Sequence, residues 1–99
     1  MRFLLDVNLL MALLWENHEH NQQARRWFKS IGAFSTCPIT QIGFVRISTH
    51  ANLGYSEPPE RAFGVLRRFI ADPRHLFVHD DLSCEDRILF SERILGPQM

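Results

Sequence analysis

Apolar and polar positions along the chain alternate between two periods, and the change of period marks out successive elements. Phe3 to Asp6 is an apolar run ending in a carboxylate, which predicts a strand. Leu9 to Trp15 is apolar throughout and predicts a short buried helix, followed by the polar connection Glu16-Asn17-His18-Glu19-His20. Asn21 is placed to cap a second helix, in which Ala24, Trp27, Phe28 and Ile31 recur at helical spacing before Gly32 stops it. Ala33 to Cys37 predicts a strand that ends at Pro38. From Gln41 to His50, behind Thr40 as cap, β-branched residues are too frequent for periodicity to separate helix from strand. Its neighbours are strand and loop, so we read it as a helix.

The loop Ala51 to Glu57 carries Asn52 and Gly54. Pro58-Pro59 then opens a longer helix, where proline does least harm. Ala62, Val65, Leu66, Phe69 and Ile70 form its apolar stripe, and Asp72-Pro73 ends it. Leu76 to His79 predicts a third strand, terminating in Asp80-Asp81. Ser83 and Asp86 match a capping box ahead of a last helix running to about Leu95.

Strands alternating with helices imply an α/β fold, with a short parallel sheet, right-handed crossovers and helices on both faces. At 99 residues the chain is long enough for a single domain, 1–99. It carries 11 basic and 11 acidic residues, so overall basicity gives no argument for nucleic-acid binding, and any such contact needs a local patch. Cys37 and Cys84 have no metal-type spacing and are read as buried free thiols of a reducing cytoplasm. The Leu9 to Trp15 stretch is too short to span a membrane, and the N-terminus has no cationic region with a cleavage site. A soluble cytoplasmic protein is expected.

In an open α/β sheet, ligands bind outside the carboxyl ends of the strands. That rule singles out Asp6, the Thr40-Gln41 pair and Asp80-Asp81. Carboxylates gathered there suit magnesium and phosphodiester hydrolysis. Asp6 has an equally weighted structural alternative, as the cap of the helix that follows it. The other constellations are read structurally. His18 and His20 lack a second ligand pair for zinc. His75 and His79 share a strand face through burial or edge exposure. Arg25, Arg26 and Lys29, and Arg61, Arg67 and Arg68, are solvated helix faces, while Trp15, Trp27 and Phe28 belong to the core. A phosphoacceptor domain using Asp80 or Asp81 is disfavoured, because the only lysine is Lys29.

Three segments together resemble a known family. Phe-Leu-Leu-Asp-Val-Asn-Leu-Leu-Met-Ala-Leu-Leu, His-Glu-His-Asn-Gln-Gln-Ala-Arg-Arg-Trp-Phe and Cys-Pro-Ile-Thr-Gln-Ile-Gly-Phe-Val-Arg-Ile look like the first two-thirds of a PIN domain of the VapC type, the toxin ribonucleases of bacterial toxin-antitoxin pairs. Asp81-Leu82-Ser83 and the closing Ile-Leu-Gly-Pro-Gln extend the likeness. The most specific part is Asp6-Val7-Asn8 combined with Gly43-Phe44-Val45-Arg46.

The resemblance implies a three-layer PIN-like fold and a cluster of acids holding magnesium or manganese for RNA cleavage. Asp6 matches the first acid, as catalytic residue and metal ligand, and Asn8 the polar residue beside it. Gln41 stands where many members place the second acid, and Arg46 lies just beyond the site; Asn8, Gln41 and Arg46 are expected to bind substrate. The family's later acids, with the last helix and strand that bear them, have no counterpart here. Two readings follow: a metal-dependent endoribonuclease toxin working with fewer acids, or a catalytically silent PIN fold that binds antitoxin or RNA. Either implies a cognate antitoxin whose helix lies in an apolar groove between helices. The apolar surface left by the absent elements implies a homodimer.

Overall fold

A computed structural model of the chain describes residues 2–79. The Asp80-Asp81 strand end, the Ser83 and Asp86 capping box, the helix towards Leu95 and Cys84 all lie outside the described residues.

The element order is β1 (Arg2–Leu4), α1 (Val7–Leu14), α2 (Asn21–Ser30), β2 (Ala33–Thr36), α3 (Pro38–Ser48), a single 3₁₀ turn (Ala51–Leu53), α4 (Pro59–Ile70) and β3 (His75–Phe77). The strands form one parallel sheet in the order β1-β2-β3. Phe3 lies opposite Phe34, and Ser35 opposite Leu76. The α/β architecture and parallel sheet are as the alternating pattern implies.

Several boundaries shift for local reasons. β1 stops at Leu4 and α1 begins at Val7, two residues ahead of the expected Leu9, because Asp6 turns its carboxylate onto the Leu9 N–H. The cap of α2 is His20, not Asn21. The Asn21 amide is buried and donates to Ala12 O at 2.8 Å and Leu13 O at 3.3 Å, satisfying carbonyls at the end of α1 that have no partner within the helix. Pro38 opens α3 rather than only ending β2, and Cys37 is the cap. Thr40 sits inside the first turn, where its Oγ1 accepts from Cys37 N at 3.0 Å. Cys37 is also disulfide-bonded, which corrects the expectation of a free thiol at that position.

One apolar cluster spans the molecule. α1 is at its centre, packed against α2, α3 and α4, so Leu9 to Leu13 are buried on every side of the helix. Phe34 of β2 is fully buried and meets Phe28 of α2 at 5.0 Å and Phe69 of α4 at 4.9 Å between ring centroids. Trp15 stacks on Phe44 at 5.7 Å, and its indole N–H donates to Ser48 Oγ at 2.8 Å. Trp15 is core, and Trp27 and Phe28 pack against the core half-buried, as the sequence implied. The Arg74 guanidinium donates to Phe28 O and Ile31 O at the end of α2, lies 4.2 Å from the Phe28 ring and pairs with Asp72 at 2.9 Å.

Candidate functional site

Two helices begin side by side at the carboxyl ends of β1 and β2. Leu5 N donates to Ser35 O at 3.0 Å, so the sheet pairing runs up to the residue before Asp6. Asp6 is 6% exposed, and its Oδ1 accepts from Leu9 N at 2.9 Å. The capping alternative is therefore realised. Asn8, in the first turn of α1, is exposed.

Gln41 lies in the first turns of α3 and is half-buried. Its Nε2 donates to Thr36 Oγ1 at 2.8 Å, and the same hydroxyl lies 2.7 Å from His75 Nε2. Arg46 is exposed one turn and a half further along α3. Gln41 and Arg46 both line a groove of about 480 Å³ between α3 and α4, together with Ile42, Phe63, Arg67 and Ile70. Asp6 and Asn8 are not among the residues lining it. The structure thus brings Gln41 together with Arg46 in one groove, while Asp6 is buried as a cap and Asn8 is exposed on the first turn of α1.

The two pairs are joined by a close helix contact. A Cβ on Gly43 would sit 2.6 Å from Val7 Cγ2, so only glycine lets α3 come this near to the first turn of α1. Sequence reasoning missed Thr36, and read His75 only as buried or edge-exposed on a strand face. Nothing in their spacing joins them, and only the parallel register, with His75 opposite Phe34, brings the ring beside Thr36.

Histidine ionisation follows burial. Desolvation holds His75 below its ordinary value, Arg2 adds to this and Asp72 opposes it. Desolvation also lowers His18, with His20 adding and Glu19 opposing. His18 Nδ1 accepts from His20 N at 3.0 Å, a local turn contact in keeping with a structural role.

Among the described residues, no group of three or more His, Cys, Asp or Glu side chains is placed to hold a metal ion. Asp6 supplies a single carboxylate and Gln41 a neutral amide. That donor set does not by itself fit magnesium, which is held through carboxylates and resists losing its water. Among the described residues no helix is long and apolar enough to cross a membrane.

Four helices packed on a short parallel three-stranded sheet agree with a PIN-like α/β fold. Comparison with known proteins narrows this. The chain is 38% identical over 89 residues to Ribonuclease VapC38 of Mycobacterium tuberculosis, an alignment covering 84% of this chain and 61% of that protein. It is 41% identical over 85 residues to Ribonuclease VapC39 of the same organism, covering 83% and 61%. With Ribonuclease VapC44 it shares 36% identity over 96 residues, covering 95% and 65%. The chain spans less than two-thirds of the length of these relatives. No family model matches it, and no solved structure does. Over the span it shares with them, the chain is similar to VapC-type ribonucleases.

Proposed function

We propose that the chain carries the endoribonuclease activity of a toxin-antitoxin pair, with Asp6 as its catalytic carboxylate and Asn8, Gln41 and Arg46 as RNA contacts. The observation that carries this is the fixed carboxylate at the sheet's carboxyl edge, buried and aimed by its cap, in a chain similar to proteins named ribonucleases. Arg46 supplies a cation for a phosphate, and Gln41 an amide for a sugar or base. Magnesium or manganese is the proposed cofactor, and among the described residues Asp6 is the one proposed ligand.

The partner we propose for the α3–α4 groove is an antitoxin helix. Ile42 and Phe63 are 57% and 51% exposed there, an apolar strip that a helix would cover, and Arg46 and Arg67 line the groove with them. An amphipathic helix with an apolar stripe and acidic flanks complements both features. A homodimer belongs to the same reading, and light scattering across a dilution series tests it.

The test of activity is cleavage of a mixed RNA pool by the purified protein with magnesium or manganese, beside EDTA and Asp6→Asn. Cleavage that EDTA and Asp6→Asn both abolish supports the reading. No cleavage by folded protein sinks it and leaves the second reading, a silent PIN fold that binds antitoxin or RNA. That second reading is favoured by the lack of a three-ligand cluster among the described residues.

A further inference from the structure

Thr36 ends β2 fully buried, and its hydroxyl lies between two side chains. Gln41 Nε2 donates to Oγ1 at 2.8 Å, and His75 Nε2 is 2.7 Å away on the other side. A hydroxyl has one proton to give. Oγ1 keeps a second lone pair as well as its proton, so the sense of the His75 contact follows the ring tautomer: with the ring neutral and its proton on Nδ1, Thr36 donates to Nε2. The surroundings favour a neutral ring. The ring packs on Phe34 at 5.3 Å between centroids, burial and the charge of Arg2 disfavour the cation, and Asp72, which opposes them, is itself paired with Arg74.

An unrestrained glutamine amide turns over easily, because its two ends are nearly the same shape, and it then offers oxygen or nitrogen to a ligand without preference. We propose that Thr36 and His75 are positioning residues for Gln41, a relay from His75 Nε2 through Thr36 Oγ1 to Gln41 Nε2 that makes Oε1 the atom presented to RNA. The proposal rests on the ribonuclease reading and on Gln41 as a substrate contact. Its consequence is a preference for a hydrogen-bond donor on the substrate. The 2′-hydroxyl is the donor that DNA lacks, so the relay gives this chain a means of preferring RNA. An acid at position 41 would offer two equivalent acceptor oxygens and would need no such restraint. The relay is therefore tied to the glutamine.

The test is nitrogen NMR on the whole chain, with RNA cleavage kinetics alongside. At pH 8 the His75 Nε2 resonance is expected as an unprotonated acceptor nitrogen, with Nδ1 protonated. In Thr36→Val that asymmetry collapses, the Gln41 amide protons exchange with water several-fold faster, and KM for RNA rises about three- to tenfold with kcat little changed, as for one lost hydrogen bond. Thr36→Ser, which keeps the hydroxyl, restores all three. A protonated Nε2 in the parent, or Gln41 amide signals identical in the parent and Thr36→Val, overturns the relay. Should Thr36→Val fail to fold, the parent tautomer and Thr36→Ser decide the matter. If no form cleaves RNA while the NMR signature holds, the relay stands and the ribonuclease reading falls. If the parent cleaves RNA with Nε2 protonated, the relay falls and the ribonuclease reading stands.

Discussion

Val7 occupies the space that a side chain on Gly43 would need, with 2.6 Å between Val7 Cγ2 and the position of a Gly43 Cβ. Asp6 immediately precedes Val7, and Gln41 lies two residues before Gly43, so this contact sets how the start of α3 lies against the start of α1. In Gly43→Ala, overpacking of about 1–3 kcal/mol opposes a helix-propensity gain of about 1 kcal/mol. Net destabilisation is expected in urea unfolding. In a Val7→Ala background the same substitution should cost little or become stabilising, because the obstructing methyl is gone. Equal effects of Gly43→Ala in both backgrounds would show that the two helices do not meet here as described.

Asp6 combines a cap with a proposed catalytic charge, and two substitutions separate them. Asparagine caps about as well as aspartate, whereas alanine does not cap and costs about 1 kcal/mol. Asp6→Asn should keep the parent's urea midpoint and lose cleavage, while Asp6→Ala loses both. Full cleavage by Asp6→Asn would reduce Asp6 to a structural residue.

Arg74 closes the end of α2 from β3's side of the sheet. Its guanidinium meets the Phe28 and Ile31 carbonyls at the end of the helix, the Asp72 carboxylate and the Phe28 ring face, using a planar fork that lysine lacks. Arg74→Ala should cost about 2 kcal/mol, in the range of hydrogen bonds to charged groups, and Arg74→Lys should recover less than half of it. Thermal unfolding of both variants measures this. Full recovery by lysine would mean that charge alone matters there.

The parts of the fold written in local periodicity were legible in the sequence. Ala24, Trp27, Phe28 and Ile31 announced α2 because the apolar face is also the packed face. α3 was ambiguous for a physical reason: its buried positions are Thr40, Phe44 and Ser48, two of them polar, while Ile39 and Ile42 face outwards at 51% and 57% exposure. Hydrophobicity there does not report burial. Ser48 is inside because it accepts from the Trp15 indole, and Thr40 because it bonds the cap. Of the candidate site, Asp6 was found from its place at a strand end. Thr36 and His75 are 39 residues apart, and no sequence period spans that distance; only the strand register does.

Stability should fall as pH is lowered from neutral, and the sign follows from the two lowered histidines. Burial is the first cause in both His75 and His18, so each takes up its proton less readily when folded than at its ordinary value of 6.5. As pH drops past that value the unfolded chain binds protons first, and unfolding becomes easier until the folded state is protonated too. The stabilisation held above 6.5 is therefore lost on the acid side of it. Asp72 adds a separate loss at lower pH. Hydrogen bonds from Arg74 hold its carboxyl below the ordinary 3.8, so its contribution persists until protonation begins near that value. Urea midpoints at pH 7.5 and 5.5 measure the first window, and a lower midpoint at pH 5.5 is expected. His75→Gln, which keeps an acceptor for Thr36, should flatten the difference, and His75→Gln with His18→Gln should flatten it further. A midpoint unchanged between the two pH values in the parent would show that neither ring is held neutral by its surroundings. The hydrogen-bond polarity assigned to the Thr36 relay would then lose its electrostatic support.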